Sequence, residues 1–199
     1  MGLDKHMEAD FEVQVGGGAP VIEALWEGFV DLRRSPERVY EISEAATFPA
    51  LAEALLALNG LDAPLWTSKC DVWDPHAAEM EAFEPGQSAL PERHHAALAC
   101  YIDLLPRSSL VFADWKDAED FCRRWVAQIE AEEMGGATHD ATHSATVDLI
   151  ARQAIAGEAE GFAITAYLGV VADYRAGAEE ALAAALRHFV AATLSVPAP

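Results

Sequence analysis

Hydrophobic and polar residues alternate in several parts of the chain, and this two-residue period predicts β-strands. The alternation is clearest over residues 65–73 and over residues 98–104, which end before a proline. A shorter alternation predicts a strand at residues 11–15. Two longer hydrophobic runs, residues 146–156 and 162–172, are separated by GEAEG and therefore predict an antiparallel hairpin.

Other segments repeat their hydrophobic residues every three to four positions, which predicts helices. The clearest helix begins at the capping residue Asp114, runs to about residue 133 and ends before two glycines. Weaker patterns predict helices at residues 35–42, 48–58 and 176–194, with Ser35 and Thr47 as N-caps and Asn59-Gly60 as a stop. Residues 74–92 have no clear period and predict a long loop.

Residues 20–34 fit two interpretations. Ile22, Leu25 and Phe29 recur at helical spacing after Pro20, which favours a helix. Alternation around Trp26 over residues 26–32 is typical of a strand, so that alternative stays open.

In the second half of the chain the predicted strands come in adjacent pairs, each pair followed by a helix. This order predicts an α+β fold: an antiparallel sheet of four to five strands with helices packed mainly on one face, a two-layer sandwich. We expect one domain over residues 7–195, a leader at residues 1–6 before a natural start at Met7, and a frayed tail at residues 196–199.

The charge of the chain excludes more functions than its composition does. Its 199 residues are 52% hydrophobic and 23% charged, which is ordinary for a folded protein, but the net charge is −20. Such a charge repels phosphate backbones and anionic lipids, so nucleic-acid and membrane roles are not expected. Three cysteines without a Cys-x-x-Cys pair fit buried thiols in a cytoplasmic protein.

The positions opposite the core-facing residues of the predicted strands carry most of the candidate chemistry. If helices cover the apolar face, the other face, here called the polar face, collects Thr67, Lys69, Asp71, Tyr101, Asp103, Arg152 and Tyr167, together with Asp148 and Thr165. Alternation places Trp66 on the opposite side, with Cys70, but Trp66 and Trp73 bracket the charged positions and complete the candidate ligand-binding set. Such a face is either a solvated surface with cross-strand ion pairs or a ligand-binding platform. Acidic neighbours would keep Lys69 protonated, which favours orientation of a polar ligand over Schiff-base chemistry.

Histidines offer a second hypothesis. His139 and His143 have the i, i+4 spacing of zinc ligands on a helix, but their segment, GGATHDATHSAT, is typical of a connector. We therefore predict no metal there, and no motif identifies a cofactor.

These observations predict an acidic cytoplasmic binding domain that recognises a protein partner or a small polar ligand through the polar face. The alternative is an enzyme acting on a small metabolite, using the same face or a histidine-based metal site. A basic partner protein would suit the net charge. A homodimer also stays open, with Trp26, Trp66 and Trp73 as the natural anchors of its contact.

Overall fold

The computed structural model describes residues 7–15, 19–75, 96–131 and 144–199. In chain order the elements are β1 (Glu8–Val13), β2 (Ile22–Ala24), a 3-10 helix (Pro36–Glu41), α1 (Ser43–Thr47), α2 (Pro49–Leu58), β3 (Leu65–Trp73), β4 (Ala96–Pro106), α3 (Trp115–Ala131), β5 (Ser144–Ala156), β6 (Ala159–Ala172) and α4 (Arg175–Ser195). None of the described helices is long and apolar enough to cross a membrane.

The described strands form one mixed six-stranded sheet with the order β1-β5-β6-β4-β3, and β2 pairs with β5 beyond the end of β1. The pairs β3–β4, β4–β6 and β5–β6 are antiparallel, as predicted. Strands β1 and β2 instead run parallel to β5, so the prediction of a purely antiparallel sheet is wrong at this edge. No hairpin links them to β5, and a local sequence pattern therefore does not fix their direction.

Helices α3 and α4 cover one face of the sheet, here called the helix-covered face. Its alternating residues are apolar and buried, among them Leu98, Cys100, Ile102 and Leu104 of β4 and Ile164, Ala166, Leu168 and Val170 of β6. Phe121, Trp125 and Ile129 form the predicted stripe of α3, and all three are fully buried. Asp114 begins that helix as predicted, since its Oδ1 accepts the backbone N–H groups of Lys116 and Asp117 at 2.7 and 3.1 Å.

The predicted helix at residues 20–34 is wrong. Only the short strand β2 forms there, and Leu25 and Gly28 have φ values of 62° and 91°, which no right-handed helix accommodates. Ile22 and Ala24 are buried where β2 pairs with β5, a long-range contact that helical spacing cannot reveal.

Two of the predicted helix caps also differ. The Ser35 side chain caps nothing, and the segment after it is a 3-10 helix. Thr47 does not begin α2; it ends α1, where its hydroxyl donates to the carbonyl oxygens of Ser43 and Glu44. The stop at Asn59 is confirmed, although its φ of −95° is not the positive value expected of an Asn-Gly pair.

In the hairpin, the turn is tighter than predicted. Strands β5 and β6 are joined by Gly157 and Glu158 alone, and Gly157 supplies the positive φ of 66°. Gly161, predicted as part of the connection, lies inside β6, where the chain bridges to Phe112 through paired backbone hydrogen bonds with Phe162.

At one end of the sheet's other face there is a second, smaller core. It contains Ile22, Ala24, Trp66, Leu105, Val111, Ala154, Ala156 and Ala163. Beyond it, the same face carries polar side chains. Val196, expected in the tail, is buried and packs into the main core. Most of the predicted loop at residues 74–92 and the connector with His139 and His143 lie outside the described residues.

Candidate functional site

A β-bulge divides β3 and determines which of its side chains meet. Thr67 lies opposite Leu104, whereas Cys70 lies opposite Ile102, so β3 carries one residue more than β4 between these pairs. The side chains of Thr67 and Cys70 therefore lie on the same face, although three positions separate them. The strict alternation predicted for residues 65–73 is wrong across the bulge, because Ser68 and Lys69 are both polar and conceal the extra residue.

The bulge moves two of the predicted site residues. Thr67 belongs to the helix-covered side, where its hydroxyl accepts from Asn59 Nδ2 at 2.6 Å and its backbone N–H donates to Asn59 Oδ1 at 3.2 Å. Trp66 belongs to the second core and is fully buried. The Arg33 guanidinium lies 3.8 Å from the centre of its ring, and its indole N–H donates to the Pro106 carbonyl at 3.3 Å. Trp66 therefore packs inside the second core and is not on the surface of the polar face.

The structure brings several of the other predicted residues together in a row across the sheet. Asp71, Tyr101, Tyr167 and Asp148 lie directly opposite one another on β3, β4, β6 and β5. The ring of Tyr101 lies 6.2 Å from that of Trp73 and 6.0 Å from that of Tyr167. This row forms the middle of the polar face.

Asp103 and Thr165 form the next row. The Thr165 hydroxyl donates to Asp103 Oδ1 at 2.6 Å, and both side chains are buried. Burial raises the pKa of Asp103 above its ordinary value, although the Thr165 hydrogen bond and the charges of Lys69 and Arg152 oppose the shift. Lys69 lies in the bulge, at the position that faces Asp103.

Arg152 lies on β5, away from the bulge in β3. Its Nε donates to Gln14 Oε1 at 2.9 Å and one terminal nitrogen donates to the Tyr167 hydroxyl at 3.0 Å. Within the described residues, Lys69, Asp71, Asp103 and Arg152 form no ion pair. This argues against the interpretation of the polar face as a surface of cross-strand ion pairs.

A cleft of about 430 Å³ opens beside the bulge. The residues that line it come from β3 and β4, from residues 26–30, from the junction between the 3-10 helix and α1, and from α2. Its lining comprises Trp26, Gly28, Val30, Glu41, Ile42, Ser43, Glu44, Leu55, Thr67, Ser68, Lys69, Cys70 and Tyr101. Of the predicted site residues, the cleft takes in Thr67, Lys69 and Tyr101.

The indole N–H of Trp26 has no partner among the described residues, but it is shielded from solvent. Two other donors are available in the cleft. The Lys69 ammonium lies 5.5 Å from the centre of the Trp26 ring and forms no hydrogen bond or ion pair with a described residue. The Tyr101 hydroxyl has no hydrogen bond within the described part of the chain either. Burial, together with Asp103 and Asp71, raises the pKa of Tyr101 to about 12, so this hydroxyl keeps its proton at neutral pH.

Two acidic residues also line the cleft. Glu41 is engaged by Arg38, whose Nε and terminal nitrogen donate at 2.9 and 2.7 Å. Glu44 accepts only from the Ser43 hydroxyl, at 2.9 Å, and has no cationic partner in the described part of the chain. Burial, followed by the negative charge of Glu44, raises the pKa of the Cys70 thiol to about 12.

Sequence reasoning missed Trp26 and Glu44. The alternation over residues 26–32 was the available signal for Trp26, since it favoured an extended chain over a helix. Nothing local indicated Glu44, because the fold alone brings α1 against the bulge of β3.

Histidine chemistry is limited in the described residues. His188 is the one described histidine; it is buried, and its Nε2 lies 2.8 Å from the Ile129 carbonyl oxygen. Among the residues that the structure describes, no three metal-ligating side chains come together.

Comparison of the chain with protein-family models, with curated proteins and with solved structures finds no match. Its function is therefore argued from the cleft itself.

Proposed function

We propose that this protein binds a small polar ligand in the cleft beside the β3 bulge, and that the ligand presents a hydrogen-bond acceptor to Lys69 and Tyr101. The observation that carries the proposal is that these two residues line one cavity and that their donors have no partner among the described residues. The cleft's volume is in the usual range of small-molecule sites.

The protonation of the cleft favours binding over the alternative of catalysis. Tyr101 and Cys70 both have a pKa raised to about 12, so neither is a general base or a thiolate nucleophile at neutral pH. A protein partner, a cytoplasmic location and a homodimer stay predictions from the sequence.

The experiment uses the only two described lysines as a matched pair. Lys69 lies 5.5 Å from the Trp26 ring centre and Lys116 lies 5.6 Å from that of Trp115, which is outside the cleft. A panel of small carboxylates, amino acids and phosphates is first screened by thermal shift. For each hit, Kd is measured by calorimetry on the wild type, Lys69→Met and Lys116→Met.

We expect Lys69→Met to weaken binding at least tenfold without lowering Tm, and Lys116→Met to leave Kd unchanged. Two results would refute the proposal: no stabilisation by any member of the panel at millimolar concentration, or equal loss of affinity in both variants.

A further inference from the structure

The lining of the cleft contains a cation and a carboxylate that do not pair with each other. Lys69 extends from the β3 bulge and Glu44 from α1, and both line the same cavity. Neither has an ion-pair partner among the described residues, although Arg38 fully engages the neighbouring Glu41. An unpaired cation and an unpaired carboxylate in one cavity are complementary to a ligand that carries both charges.

We infer that the ligand is a small zwitterion with an apolar side chain, as in a free apolar amino acid, held by Lys69 and Glu44; this inference rests on the proposed function. The ligand's carboxylate would accept from Lys69 Nζ and the Tyr101 hydroxyl. Its ammonium group would donate to Glu44. Charge-assisted hydrogen bonds of this kind are about twice as strong as neutral ones.

The rest of the lining fits the remainder of such a ligand. Val30, Ile42 and Leu55 supply apolar surface to the same cleft. This surface suits an aliphatic or aromatic side chain on the ligand. A charged group on the ligand's side chain would be desolvated there without a partner.

The net charge of the protein favours a zwitterionic ligand over an anionic one. The chain carries a formal charge of −20, which repels a phosphate or a dicarboxylate but exerts no net force on a neutral zwitterion. Among the described residues that line the cleft, Lys69 is the single cation, so a phosphate monoester would meet one positive charge for its own charge of about −2.

The test compares L-leucine, L-methionine and L-phenylalanine with their N-acetyl and amide derivatives by calorimetry. We expect the tightest free amino acid to bind at least tenfold more strongly than either capped form. Glu44→Gln should weaken the free amino acid at least tenfold but leave the N-acetyl form unchanged, whereas Lys69→Met should weaken the free acid and spare the amide. Glu53→Gln, an exposed change on α2, is the matched control, and Tm measurements verify that each variant folds.

The outcomes separate this inference from the proposed function. Equal affinity for a free amino acid and its N-acetyl form overturns the zwitterion and leaves the proposed function standing. Lys69-dependent binding of a simple carboxylate or phosphate, with no binding of amino acids, does the same. If no compound binds the wild type, both are wrong.

Discussion

The same strands make both faces of the sheet, yet the two faces differ in the kinds of side chain they carry. In β4 the helix-covered face carries Leu98, Cys100, Ile102 and Leu104, all apolar and buried. The opposite face of that strand carries Ala99, Tyr101, Asp103 and Leu105, which differ in size, polarity and charge. The first face is uniform and supplies stability. On the second face each position has a separate environment, and Asp103 is buried there without an ion-pair partner.

The largest expected effect belongs to the helix-covered face. Phe121 is fully buried and contacts the rings of Phe112 and Trp125 at centroid distances of 5.6 Å. Phe121→Ala should lower the free energy of unfolding by about 3–5 kcal/mol, because it removes apolar contact and leaves a cavity. Urea denaturation measures this, with Leu61→Ala, at 91% exposure, as a control that should change it by about 0.5 kcal/mol or less. A loss for Phe121→Ala as small as the control's would mean that this face does not dominate stability.

The next effect contrasts two glycines at the second core. A methyl group on Gly161 would clash with the Phe112 carbonyl oxygen and the Val111 side chain, whereas one on Gly157 would meet open space. Gly161→Ala should therefore cost about 1–3 kcal/mol or more, because the clash includes backbone. Gly157→Ala should cost about 1 kcal/mol, because its φ of 66° is unfavourable for alanine. Thermal denaturation of both variants would contradict this if Gly157→Ala proved the more damaging.

The sequence predicted correctly the elements that depend on local hydrophobic patterns and failed for those that depend on contacts between distant segments. Strands β3 to β6 and helices α3 and α4 were predicted because their hydrophobic periods run over many residues. Strand β2 was not, because it is three residues long and depends on pairing with β5. For the site, alternation placed Asp71, Tyr101 and Tyr167 together. The bulge misplaced Trp66 and Thr67, and Trp26 and Glu44 join the cleft only through tertiary packing.

The smallest expected effect is a pH dependence on the polar face. The pKa of Asp103 is raised in the folded protein, mainly by burial, so the folded state keeps this proton at pH values where the unfolded chain, with a pKa of about 3.9, has lost it. The free energy of unfolding therefore falls as pH rises from the unfolded pKa to the folded pKa, and stays lower above it. Asp103→Asn removes this titration.

We accordingly expect Asp103→Asn to be more stable than the wild type at pH 7, with the difference shrinking as pH is lowered towards 4. Urea denaturation at both pH values measures it. A variant less stable than the wild type at pH 7, with the deficit disappearing at pH 4, would mean that Lys69 and Arg152 outweigh the burial of Asp103.

The bulge in β3 also determines which change of chain length this strand tolerates. Because the flanking residues Thr67 and Cys70 already lie on one face, deleting Ser68 would give a regular strand and leave every other side chain of β3 on its present side. We expect β3 to keep its pairing with β4 without the extra residue. The deletion would remove the hydrogen bond from Ser68 to the Glu23 carbonyl oxygen and draw Lys69 out of the bulge into the regular ladder, which changes the lining of the cleft. This one-residue deletion should therefore separate folding from the proposed binding.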